Sequence, residues 1–138
     1  MPELPFKILG IEHVGIAVDD LNGISDVFGD LFGIELRSRE KIDDQQVITD
    51  IYETGSGKLE FLKGTDENSP LVKFIEKKAT GMHHIALKVD NLQAALDYLK
   101  GQGTQLIDTS PRIGVEGFKI AFLHPKSTGG VLIELCEK

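Results

Sequence analysis

Two histidines and two glutamates stand at matched places in this chain. His13 falls within GIEHVGIAVDDL, from Gly10 to Leu21, and His84 within GMHHIALKVDNL, from Gly81 to Leu92. Glu60 interrupts the apolar run Leu59-Glu60-Phe61-Leu62, and Glu134 interrupts Ile133-Glu134-Leu135-Cys136. A glutamate on the water-facing side of an alternating strand is ordinary, but Leu132 and Cys136 share the face of Glu134 by the strand period of two. Buried carboxylates are costly unless a cation compensates them. Two imidazoles and two carboxylates make a donor set suited to Co²⁺, Mn²⁺, Ni²⁺, Fe²⁺ or Zn²⁺ rather than Ca²⁺ or Mg²⁺. Four protein ligands on a six-coordinate ion leave two positions for a substrate. Taken singly, either histidine reads more simply as a hydrogen-bonded or exposed strand residue. The joint pattern favours the ion.

The elements that must position these residues are themselves written twice. Ile11 pairs with Met82, and the match continues through Val14/Ile85, Gly15/Ala86, Ile16/Leu87, Val18/Val89, Asp19/Asp90 and Leu21/Leu92 at a constant offset of 71 residues. A helical pattern follows each copy. Leu21, Ile24, Phe28, Leu31 and Phe32 have helical spacing behind Asp20 as N-cap. Leu92, Ala95, Leu96 and Leu99 repeat it, with Asn91 as cap and Gly101 and Gly103 as the stop. Three strand-like runs then follow in each half. These are 34–39, 47–53 and 58–63 in the first half, with a hairpin turn at 54–57. They are 104–108, 118–123 and 131–136 in the second. Between the halves, the polar stretch Gly64–Ser69 leads into a short helix from Pro70 to about Lys78, with Ser69 as cap and Pro70 at the first helical position.

The expected fold is therefore α+β. It consists of two tandem βαβββ modules forming a cupped mixed sheet around a metal site, because one such repeat cannot bury its sheet face alone. The whole chain reads as one domain of 138 residues. Module one spans about 8–63, a linker with the short helix 64–80, and module two about 81–137.

Bulk properties exclude several classes. A net charge of −7 argues against nucleic acid, which needs a basic patch for its phosphates, while leaving room for a small anionic ligand held by a few local Lys and Arg. There is no Walker-type loop, no GxGxxG after a strand and no CxxC. The lone Cys136 allows no internal disulfide. No apolar stretch reaches membrane-spanning length, and the N-terminal residues lack the pattern of a signal or transit peptide, so a cytoplasmic address is expected. His83 points to the face opposite His84 and has Glu12 as its counterpart. It reads as a supporting, surface or interface residue. His124 shapes a loop or meets substrate, and Cys136 is a small buried hydrophobe.

Three segments carry a family resemblance: IEHVGIAV at 11–18, VKFIEKKATGMHHIA at 72–86 and FLHPKSTGGVLIEL at 122–135. Together with the paired βαβββ modules they resemble the vicinal oxygen chelate (glyoxalase/bleomycin resistance/dioxygenase) superfamily, and within it the methylmalonyl-CoA epimerases, over about residues 8–137. The resemblance implies metal ligands at His13, Glu60, His84 and Glu134, the same four residues that the repeat singles out. It implies an isomerase of propionate metabolism that inverts C2 of methylmalonyl-CoA through an enolate stabilised by a divalent metal, with Co²⁺ expected first and Mn²⁺, Ni²⁺ and Zn²⁺ as alternatives. Glu134 is the expected catalytic base. Some family members carry a glutamate on the third strand as a second acid or base, and here the matching residue is Thr49. The partner is an acyl-CoA. Thr49, Arg112 and Lys126 are candidate substrate contacts, the last two in loops as a positive rim for the anionic CoA tail. No nucleic acid or membrane partner is expected, and homodimerisation is. The rival readings are a glyoxalase I-like lyase acting on a glutathione hemithioacetal and a non-catalytic module that binds a small molecule such as an antibiotic.

Overall fold

A computed structural model of the chain describes residues 3–138. Its class is α+β, as the sequence predicts. The chain divides into two compact units, His13–His83 and the described residues up to Glu12 together with His84–Lys138.

In the unit His13–His83, strand β1 (Ile8–Ala17) pairs in parallel with β4 (Lys58–Gly64), with His13 opposite Lys58 and Gly15 opposite Glu60. β4 pairs antiparallel with β3 (Val47–Glu53), and β3 with β2 (Glu35–Ile42), giving the mixed order β2-β3-β4-β1. One face of this sheet packs on the segment after β1, burying Val18, Leu21, Tyr52 and Phe61 against Ile16, Ile24 and Phe28. On the other face, Ala17, Val47 and Leu62 meet Leu71, Phe74 and Ile75 of helix α2 (Pro70–Lys78). Ser69 caps α2 by accepting from the Leu71 amide. Gly64 ends β4 so close to this cap that a Cβ there would lie 2.7–2.8 Å from Val72 and Ser69 side-chain atoms.

The first helix departs from expectation. Only α1 (Asn22–Ile24) is α-helical, and Ser25–Leu31 continue as a π-helix. The Phe32 amide donates to Val27, five residues back, at 2.9 Å. Gly23, Gly29 and Gly33 weaken the α-helical alternative, and the wider turn rotates Leu31 and Phe32 off the core, leaving them 77% and 63% exposed. Asp20 accepts from the Asn22 amide.

The second unit repeats the plan. β5 (Gly81–Val89) pairs in parallel with β8 (Ile133–Glu137), with Ala86 opposite Glu134. The order β5-β8-β7-β6 continues antiparallel through β7 (Lys119–Leu123) to β6 (Arg112–Ile113). Helix α3 (Leu92–Gly101), capped by Asn91, buries Leu92, Ala95 and Leu96 on Val89, Ala121 and Leu135. Phe6 belongs to this core and touches Tyr98. Lys7 and Asp90 exchange two bonds, from the Lys7 amide to Asp90 Oδ1 at 2.7 Å and from the Asp90 amide to the Lys7 carbonyl at 3.2 Å.

The strand expected at 104–108 does not form. Leu106 makes an isolated bridge with Leu123, and the edge strand is Arg112–Ile113 instead. Asp108 explains the change: its carboxylate accepts from the Phe122 amide at 2.8 Å and from Arg112 Nε at 3.1 Å, so a side chain takes a ladder position.

Candidate metal and acid-base site

In each unit the first strand delivers a histidine and the last strand a glutamate, and the two meet. His13 Nδ1 lies 3.1 Å from Glu60 Oε2, with the residues 4% and 2% exposed. His84 Nε2 lies 3.2 Å from Glu134 Oε1, both residues 5% exposed. The register explains how. Each glutamate faces a small residue across the parallel pair, Gly15 in one unit and Ala86 in the other. The histidine two positions earlier shares that face, so each histidine and its glutamate project from the same side of the sheet.

Thr49, on the central strand β3, is fully buried, and its hydroxyl has no hydrogen-bond partner. It faces Leu62 while Ile51 faces Glu60, so Thr49, Ile51 and Glu60 share one face of the sheet. Asp50 lies on the other face, where Arg39 grips it.

Two residues escaped the sequence reading. Lys58 is 5% exposed, opposite His13 and two residues before Glu60, so it joins their face. Its place next to a hairpin turn disguised it as a solvated charge. Glu40 stands opposite Thr49 on β2 and is half-buried. The expected strand stopped at Arg39, one residue short.

In the other unit, Phe122 links the candidate residues. It faces Glu134 in the β7–β8 register and packs edge-on to His84 at 5.4 Å. The Arg112 guanidinium lies 5.5 Å over the same ring. Arg112 sits in β6, not in a loop, and Asp108 holds it. Lys126 is exposed in the 3₁₀ turn Pro125–Ser127, whose start His124 caps by accepting from the Lys126 amide. His124 thus shapes a loop. His83 packs edge-on to Phe74 of α2 at 4.9 Å, and Cys136 is buried and in no disulfide.

Chemically, each pair offers an imidazole nitrogen and a carboxylate oxygen withdrawn from water. Both are ligand atoms for a divalent transition ion, and the carboxylates need compensating charge.

Comparison with known proteins gives this geometry a setting. Residues 12–122 match the family described as the Glyoxalase/Bleomycin resistance protein/Dioxygenase superfamily. The mitochondrial methylmalonyl-CoA epimerase of Mus musculus is 35% identical over 131 residues, 94% of this chain and 74% of that protein. An uncharacterised protein of Bacillus subtilis, YqjC, is 39% identical over 127 residues, 92% of this chain and 91% of its own. Among solved structures, a variant of the Streptomyces coelicolor methylmalonyl-CoA epimerase in complex with 2-nitronate-propionyl-CoA aligns with a TM-score of 0.88 at 30% identity, covering 96% of this chain and 99% of that one.

Proposed function

Because the chain belongs to the Glyoxalase/Bleomycin resistance protein/Dioxygenase superfamily and aligns along nearly its whole length with methylmalonyl-CoA epimerases, we propose that it inverts C2 of methylmalonyl-CoA with a divalent cation as cofactor. Its relatives make it an isomerase of the epimerase type. The observation that carries the metal-assisted reading is the matched pair of buried contacts, His13 with Glu60 and His84 with Glu134, one in each unit. These four residues are the proposed ligands, and their nitrogen and oxygen donors fit the ion.

The C2 hydrogen of the substrate lies between a thioester carbonyl and a carboxylate. A divalent ion held by these residues would act as a Lewis acid and offset the negative charge that develops on the substrate oxygens. Glu134 takes the C2 proton, and the C–H electrons move into the thioester carbonyl. Its burial beside His84 keeps the carboxylate out of bulk water and fixed in direction. Arg112 and Lys126 receive the anionic CoA tail, and Thr49 faces the substrate. Co²⁺ as the preferred ion, a homodimer and a cytoplasmic location complete the proposal. Among the described residues no helix is long and apolar enough to cross a membrane.

The test is incubation of the metal-loaded protein with single-epimer methylmalonyl-CoA in D₂O, following epimer ratio and C2 deuterium together. Inversion with label uptake, lost in Glu134→Gln, is the expected result. Activity on the methylglyoxal–glutathione hemithioacetal and none on the CoA ester would transfer the chain to the lyases.

A further inference from the structure

Phe122 carries no reactive group, yet the polar side chains of the second unit meet around it. We propose that Phe122 is the positioning residue that fixes the His84–Glu134 pair, with Asp108 and Arg112 holding it in place. The part that Glu134 plays in the reaction rests on the epimerase reading.

The register sets these side chains in one row. Arg112 stands opposite Ile120, two residues before Phe122, and Phe122 stands opposite Glu134. Glu134 in turn stands opposite Ala86, two residues after His84. Opposed residues, and residues two apart along a strand, leave the sheet on the same side. Arg112, Phe122, Glu134 and His84 therefore share one face, while α3 packs on the other through Val89, Ala121 and Leu135. A ring that served the core would lie on the α3 face. Phe122 is half-buried on the opposite one.

Backbone bonds determine how close Phe122 comes to Glu134. Its carbonyl accepts from the Ile107 and Asp108 amides at 2.9 and 3.2 Å, and its amide donates to Asp108 Oδ2 at 2.8 Å. Both of its backbone groups thus face the 104–108 segment, which makes Phe122 and Glu134 a pair of the non-hydrogen-bonded kind. In such a pair the Cα atoms approach to about 4.5 Å and the side chains stand closest. His84 completes the group. Its ring meets Phe122 edge-on at 5.4 Å with the planes at 82°, and its Nε2 lies 3.2 Å from Glu134 Oε1.

Asp108 holds the ring twice. One carboxylate oxygen takes the Phe122 amide, and the other takes Arg112 Nε at 3.1 Å, which keeps the guanidinium 5.5 Å from the ring centre, within cation–π range. A ring fixed at its backbone and beneath a cation has little freedom to turn. The imidazole packed against it keeps its plane, and the Glu134 carboxylate keeps its direction. Groups that orient ligating side chains in this way change metal affinity and activity without touching the ion.

The experiment uses the full-length protein and two variants. Phe122→Leu keeps an apolar side chain without a ring. Asp108→Asn keeps an acceptor for the Phe122 amide and gives up the charge that holds Arg112. Co²⁺ is titrated into each metal-free protein and followed by visible absorption, with urea midpoints measured alongside. Inversion and C2 deuterium uptake from single-epimer methylmalonyl-CoA are then read at saturating Co²⁺. Phe122→Leu should weaken Co²⁺ binding by about 10-fold or more, alter the shape of the absorption bands and lower kcat by about 10-fold, with KM within about twofold of wild type. Asp108→Asn should shift the same readouts in the same direction, by less. Co²⁺ affinity and band shape that stay at wild-type values in Phe122→Leu, whatever its urea midpoint, would overturn the assignment, and so would a wild type that binds no Co²⁺. A wild type that binds Co²⁺ but neither inverts nor labels would remove the epimerase reading alone, because the Co²⁺ titration still decides the role of Phe122.

Discussion

Arg39 holds Asp50 with both arms of its guanidinium, Nε 2.6 Å from Oδ1 and Nη2 2.9 Å from Oδ2, across the β2–β3 ladder. The hydrogen bond and the charge of Asp50 raise the Arg39 pKa above its usual value. Asp50 is only 1% exposed, whereas the Arg39 side chain is 55% exposed. Removing the guanidinium therefore strands a buried carboxylate while giving up little arginine packing. Arg39→Met should destabilise the fold by about 2 kcal/mol, less than for a fully buried pair because water screens the guanidinium. Urea denaturation checks this, and an unchanged midpoint at unchanged slope would show that the clamp does not stabilise β2.

Metal content tests the paired histidines directly. His84→Ala and Glu60→Gln should each lower bound Co²⁺ well below one ion per chain, measured by elemental analysis after gel filtration. Chelator treatment of the wild type should abolish inversion and lower the melting temperature, since an ion present at about 100 times its Kd adds about 2.7 kcal/mol of stability. Re-addition of Co²⁺ should reverse both effects. Full occupancy in either variant would exclude that residue as a ligand.

The cationic side chains separate by steady-state kinetics. Lys126 is exposed on a turn, so Lys126→Ala should raise KM for the CoA ester with little change in kcat. Arg112 is braced by Asp108 and lies over Phe122, which packs against His84. Arg112→Ala should accordingly raise KM and lower kcat as well, by severalfold each. If KM stays at the wild-type value in both variants, neither residue anchors the substrate.

Acid stability has an identifiable contributor at the β3–β4 turn. The Gly55 amide, and after it Arg37 and Lys58, hold the Glu53 carboxyl below its ordinary value of 4.5. A carboxyl depressed in the folded state stabilises the fold at pH above the unfolded value, and that stability is lost as pH falls through the folded value. Glu53→Gln should thus narrow its stability gap from wild type as pH is lowered below about 4.5. A gap that stays constant from neutral pH to pH 3 would mean that Glu53 is not linked to folding.

Much of this architecture was legible because the chain repeats itself. The recurrence of histidine before a β-branched run located both first strands. Asn91 and Ser69 announced helix starts through side chains that do accept backbone amides, whereas the cap position of α1 falls on Leu21 and not on the expected Asp20, which accepts the Asn22 amide from one residue farther out. The face shared by Thr49, Ile51 and Glu60 followed from counting across one turn, and the register agrees. What local pattern missed was decided by tertiary bonds. Strand β2 runs on through Glu40 to Ile42 because its ladder with β3 continues, though Lys41 and Glu40 are poor strand formers. The stretch 104–108 has strand-like composition, yet Asp108 spends its carboxylate on Phe122 and Arg112 and the edge forms farther along. The π-helix was invisible because apolar residues at Leu31 and Phe32 fit an α-helical period that the backbone does not follow.

The attachment of Phe6 and Lys7 to the second unit has a consequence for synthesis. Lys7 and its partner Asp90 are 83 residues apart, and Phe6 packs with residues as distant as Leu135. A ribosome releases the chain from the N-terminal side, so the unit His13–His83 has all its own strands long before Phe6 meets its core. Until then Phe6 and Lys7 lack the partners they have in the folded chain, and bringing them to that core closes a loop of more than 80 residues. Closure of so long a loop is entropically costly and slows folding relative to the local contacts of the unit His13–His83.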